Sequence, residues 1–289
     1  MTARDFAYAE YRDYIIYGEL ARVEPNHEFK KILTELVEHE WGDYTFWRGL
    51  SDQKKFHVSP LEIFLLKKAR VFLGLTFIVK VLESGERKAV RNYNQFLKTA
   101  PRELHDKIKG IIAHETYHET RLIQQIREEK VEFIGSIVLG INDGLIELTG
   151  ALVGFSFAFI NSHFVALSGL ITGIAASLSM SASAYMQARH ETNGRDPAKA
   201  ALYTGISYGA VVVLLVAPYF IVPQRMLALA IMFCIVFFVI GGVSYYTAII
   251  FNRSFQKQAG TMLVFSLGIA FVSFVIGSAL QRISGIMQK

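Results

Sequence analysis

Apolar and polar positions follow two different rules along this 289-residue chain. Up to about residue 132 the apolar residues recur every three or four positions, the spacing of one buried helix face. From Ile134 onward they run together in blocks of about 20, long enough to cross a bilayer as helices. The first region reads as four helices. Their buried lines pass through Phe6, Glu10, Asp13, Tyr17 and Leu20, then through Phe29, Leu33, Leu36, Glu40, Asp43 and Trp47. The third passes through Phe72, Leu75, Val79, Leu82 or Glu83, Glu86, Val90 and Tyr93, and the fourth through Leu104, Ile108, Ile111, Glu115, His118, Leu122 and Ile126. The second region predicts five spans, near 135–160, 165–188, 200–222, 226–251 and 260–281. The run 71–82 is also apolar, but it is too short to span and contains Lys80, so a buried or membrane-surface helix segment is expected there. The chain is therefore expected to be all-α, with domains at 1–132 and 133–289.

Charge sharpens this division. Of the 30 Lys and Arg, 22 precede residue 135, as do 21 of the 25 Asp and Glu and six of the eight His. The first domain is thus near-neutral and water-soluble, and the net charge of +5 is a modest whole-chain excess. No Lys/Arg run suggests nucleic acid. The single cysteine, Cys234, excludes an internal disulfide framework and any Cys-rich zinc site. The opening MTARDFAYAEYRDY has no apolar stretch of the kind a signal peptide needs. Basic residues favour alternate sides of the spans: Arg189, Arg195, Lys199, Arg253 and Lys257 fall on the side of the first domain, while 161–164 carries none. The positive-inside rule then places the first domain in the cytosol and the carboxyl terminus outside, in a multi-pass protein of the cell (inner) membrane.

Carboxylates interrupt every buried line of the first domain: Glu10 and Asp13, Glu40 and Asp43, Glu83 and Glu86, and Glu115 beside His118. An unpaired buried carboxylate is expensive, so several converging ones need cations between them. Such a set matches ferritin-like di-iron bundles, in which glutamates and Glu-x-x-His pairs meet in the core. Oxygen-rich ligation suits iron or manganese. The stretch His114-Glu115-Thr116-Tyr117-His118 also fits the H-E-x-x-H of zinc peptidases. That reading would use His114 and His118, but no third zinc ligand follows at the usual spacing, and the chain enters the membrane about a dozen residues later. Glu115 and His118 are the pair that continues the buried line.

The segments EYRDYIIYGELA, ESGE (83–86) and ETYH (115–118) resemble the ligand helices of rubrerythrins, which implies a four-helix di-iron bundle. The second helix reads EWGD, with Asp43 where that family has histidine, and no rubredoxin-type cysteine cluster is present.

Within the first span lie Asn142, Asp143 and Glu147. Intramembrane acids by default mark an ion pathway, and acids four apart share a helix face. The second span is rich in Gly, Ala and Ser, which permit close helix approach, and it holds Met180 and Met186, whose thioethers suit a metal pathway. The runs GINDGLIELTGALVG, GIAASLSMSASAY, PAKAALYTGISY and APYF resemble the vacuolar iron transporters. Two departures stand out: Ser183 and Ala184 replace the family's Gly-Glu, and the 189–199 loop is too short for the metal-binding insert of some members. Together the halves resemble the rubrerythrin–transporter fusions called membrane-bound ferritins.

The resemblance implies export of Fe2+ or Mn2+ from the cytosol by proton antiport. The bundle would capture the ion, and the span-one acids would accept it, in a homodimer whose pathway lies between first spans. The glycine-rich face of span one would allow that dimer. The alternative is a membrane-anchored di-iron oxidase or peroxidase, and ferroxidase activity of the bundle is compatible with either reading.

Overall fold

The computed structural model describes residues 2–52, 55–117, 133–191 and 195–287, and within them the side chains of all but 72, 83–88, 117 and 283–287. The chain divides into two compact units, Met1–Glu128 and Glu129–Lys289.

In the first unit the helices are α1 (Ala3–Val23), α2 (His27–Gly49), α3 (Pro60–Leu73), α4 (Leu75–Leu97) and, after a 3-10 turn at Arg102–Leu104, α5 (His105–Tyr117). Polar side chains set the helix starts. Thr2 and Asp5 close a reciprocal capping box on α1, and the Asn26 carboxamide accepts from the backbone N–H of Glu28 (2.9 Å) and Phe29 (3.2 Å) at the start of α2. Both caps satisfy backbone donors that would otherwise be orphaned. The core is aromatic. Phe6 of α1 meets Trp47 of α2 and Tyr93 of α4 at centroid distances of 4.7 and 4.6 Å, and Trp47 stacks on Tyr93 at 5.4 Å. Ile108 and Ile111 of α5 close the cluster.

Helix α3 departs from the four-helix reading. Gly74 adopts φ 88 and both ends α3 and begins α4, so the apolar run 71–82 is split. From Leu75 to Val79 the chain is buried, as is Leu82, and this run forms the start of α4. The charged side of α3, not its apolar side, faces the rest of the unit. Glu62 pairs with Arg12 (2.6 Å), Lys67 with Glu19 and Arg70 with Glu24, all on or beside α1. Leu61, Phe64, Leu65 and Val71 remain exposed.

The second unit comprises α6 (Ile134–Ala158), α7 (Ser162–His190), α8 (Pro197–Ile221), α9 (Arg225–Phe251) and α10 (Phe255–Met287). These five helices are long and apolar enough to cross a membrane. Helix α6 packs against all four others, and its glycines let them approach. A Cβ at Gly140 would collide with the Thr204 carbonyl, and one at Gly144 would crowd Val211 and Tyr208 of α8. Gly150 and Gly154 face Ile269 and Ser273 of α10, and Gly277 of α10 lies against the Gly154 carbonyl. The glycine-rich face of span one therefore packs inside the chain, and it gives no support to a dimer contact. Buried hydroxyls knit the spans further. The Thr204 hydroxyl donates to the Ser136 carbonyl (3.2 Å), and Ser162 donates to the carbonyls of Tyr219 and Val222 (2.9 and 3.0 Å). In a membrane the backbone must find its partners internally, which gives these contacts their value.

Candidate functional site

In the first unit, α1, α2 and α5 carry the acids inward. Glu10, Glu40, Asp43 and Glu115 are between 2% and 4% exposed, and Asp13 is 8% exposed. A hydrogen bond joins the Glu10 and Glu40 carboxyls, and the Tyr93 hydroxyl donates to Glu10. Burial pushes the Glu10 carboxyl up to about 7, against the lowering effect of those two bonds, with Asp43 and Asp13 close enough to add to the rise. The Tyr93 phenol is likewise driven upward by burial and by the Glu10, Glu115 and Glu40 carboxylates around it. Tyr93 is thus the hub on which three helices' acids converge.

The other two acids turn elsewhere. Asp13 is held by the Arg12 guanidinium at 2.8 Å, and the same guanidinium holds Glu62 of α3. Burial raises the Asp13 carboxyl to about 6, with Arg12 opposing. Asp43 meets the Nδ1 of His114 at 3.2 Å, and the His114 ring stacks on His39 at 5.0 Å. Burial again lifts the Asp43 carboxyl, with the His114 bond opposing. His114 lies off the line of Glu115, half-exposed, and reaches Asp43, a contact that the residue pattern did not reveal. Glu83 and Glu86 lie on α4, but their side chains are outside the described set, and His118 lies outside the described residues.

The donors are carboxylates and an imidazole, a chemistry that suits Fe2+ or Mn2+. Their geometry is less complete. Among the described residues no three His, Cys, Asp or Glu side chains are gathered closely enough to hold a metal ion.

In the membrane unit, Asp143 and Glu147 lie one turn apart on α6, about 13 and 19 Å along the helix from Ile134. That is near the middle of a hydrocarbon core about 30 Å thick. The Tyr208 hydroxyl, from the fully buried centre of α8, donates to one oxygen of Glu147 at 2.7 Å. Asp143 is partly buried and Glu147 is exposed on the single chain. Asn142 sits beside them and lines a cavity on the α9–α10 side. Met180 packs against the core of the unit, whereas Met186, six residues on and 52% exposed, points away from it. Tyr208 escaped the residue pattern. Its signal was a tyrosine in mid-span, away from the interfaces where tyrosines of membrane helices collect.

Residues 134–194, covering α6, α7 and the connection after it, match the model of the VIT family, the vacuolar iron transporters. No curated protein and no solved structure matches the chain. The match supports a transporter domain, and with the five apolar helices it supports a multi-pass membrane protein of the metal-transporter type.

Proposed function

We propose that this protein exports Fe2+ or Mn2+ from the cytosol in exchange for protons. The observation that carries this reading is the Asp143–Glu147 pair, set at mid-bilayer depth on the helix that matches the transporter family. A carboxylate facing lipid at that depth costs roughly 2.5–3.5 kcal/mol, so its retention calls for a function. Tyr208 fixes one Glu147 oxygen and leaves the other open to cargo. A carboxylate that gives up a metal ion on one side can take up a proton in its place, which is the chemical basis of antiport. The exposure of Glu147 on a single chain supports a homodimer in which a second α6 covers the acids.

The first unit serves as the capture site. Glu10, Glu40, Asp43, Glu83, Glu86, Glu115 and His118 supply oxygen and imidazole donors for a pair of cargo ions, with Asp13 at the edge. Glu10 is held near neutrality in its proton affinity and shares a hydrogen bond with Glu40, so an arriving dication displaces a proton at little cost. Met180 lies about 15 Å from the His190 end of α7, a depth similar to that of Asp143 from the Ile134 end of α6, and offers a soft donor beside the acids.

The test is flux. Proteoliposomes holding the full chain should move Fe2+ or Mn2+ down an imposed gradient and move protons the opposite way. Metal flux without proton movement would remove the antiport, and no flux of either ion would remove the transporter.

A further inference from the structure

Where α9 turns into α10, a cavity of about 490 Å3 opens at the membrane unit's end. Arg253, Ser254 and Lys257 stand at the helix ends, Thr261 lies one turn further in, and Asn142 of α6 and Met262 of α10 line the deeper part. The described acids of this unit are Asp143, Glu147, Glu191 and Asp196. Glu191 reaches Arg195 at 3.8 Å, Asp196 caps α8, and Glu147 takes the Tyr208 hydroxyl. No carboxylate forms an ion pair with Arg253 or Lys257 among the described residues. The Arg253 guanidinium instead stands 5.8 Å over the Phe251 ring.

Two cations without a carboxylate partner among the described residues make a poor vestibule for a dication, which Arg253 and Lys257 would repel. They make a good receptor for an anion with several acceptor oxygens. We propose that this cavity binds a phosphate-bearing anion. The Met262 side of the cavity is apolar, and the site lies at the end of five spans, where basic pockets between membrane helices meet the phosphates of anionic lipids. A lipid headgroup and free phosphate share this chemistry, so the experiment separates them.

Full-length protein in neutral detergent is titrated with dioctanoyl phosphatidylglycerol, dioctanoyl phosphatidylcholine and inorganic phosphate, with bound ligand counted by native mass spectrometry. One phosphatidylglycerol per chain should bind saturably and the zwitterionic lipid much more weakly. If inorganic phosphate displaces the lipid at low millimolar concentration, the site is a general phosphate site; if it does not, the site reads the lipid. Arg253→Gln with Lys257→Gln should weaken binding on the order of 20-fold, about five-fold for each charge removed. The exchange Arg253→Lys with Lys257→Arg should keep most of it. Should the double glutamine variant fail to fold, Ser254→Leu fills the entrance without removing a charge and should also weaken binding. Unchanged affinity in either altered cavity would overturn the proposal. So would an equal loss in Arg189→Gln, an exposed cation on α7 outside the cavity.

Discussion

Raising the pH should destabilise the metal-free first unit, and Glu10 sets the size of the effect. Its carboxyl rises from 4.5 to about 7 on folding, chiefly because burial penalises the charged form. Between those values the folded chain holds a proton that the unfolded chain has released. Stability must then fall with rising pH, fully present below about 4.5 and lost as the pH passes 7. At about 1.4 kcal/mol per pKa unit the change is about 3.5 kcal/mol. That is a large share of the 5–15 kcal/mol that holds a domain together. Asp13, raised from 3.8 to about 6, adds to the loss at the lower end of the same range. The assay is urea unfolding of fragment 1–128 in chelator, at pH steps from 5 to 8. Glu10→Gln, which keeps the shape and cannot ionise, should flatten most of the slope. A wild-type midpoint that stays level or rises between pH 5 and 7.5 would refute the claim that Glu10 is held protonated in the metal-free core.

Three further outcomes follow. The same fragment should bind about two Fe2+ or Mn2+ ions, as di-metal carboxylate bundles do. Glu115→Ala should weaken that binding far more than His114→Ala in a metal titration, and equal losses would restore the zinc-peptidase reading. In a Cys234→Ser background, a cysteine at Ile160, 81% exposed between α6 and α7, should react with an impermeant thiol reagent on intact cells. One at Gln256 should not, and the reverse pattern would invert the topology. Finally, Gly277→Leu should cost at least about 1–3 kcal/mol, because the side chain has to enter the α6–α10 contact at Gly154. Loss of the folded species in detergent chromatography would register it, and a variant as stable as wild type would contradict the contact.

The five spans were legible because continuous apolar length alone decides them, and α6–α10 fall where hydropathy put them. The buried positions of Glu10, Glu40, Asp43 and Glu115 were legible too, because carboxylates in step with an apolar helix face have nowhere else to go. What each acid meets was not. Asp13 pairs with Arg12, its neighbour in sequence, whose guanidinium also meets Glu62 of α3, and α3 itself was hidden. Its apolar residues face outward and its charges inward, the reverse of the pattern that periodicity looks for, and Gly74 breaks the chain inside an apolar run. The glycines of α6 show the same limit. Their spacing tells that something packs closely there, but only the fold tells that the partners are α8 and α10 of the same chain.

If the acids of α6 carry the ion, Asp143→Asn should stop it. The change keeps size and hydrogen bonding while removing the charge that would attract a dication at that depth. Metal flux into proteoliposomes should collapse, while fragment 1–128, which does not contain residue 143, keeps its metal binding as an internal reference. Flux undiminished by Asp143→Asn would mean that these acids do not carry the ion, and would favour a membrane-anchored enzyme.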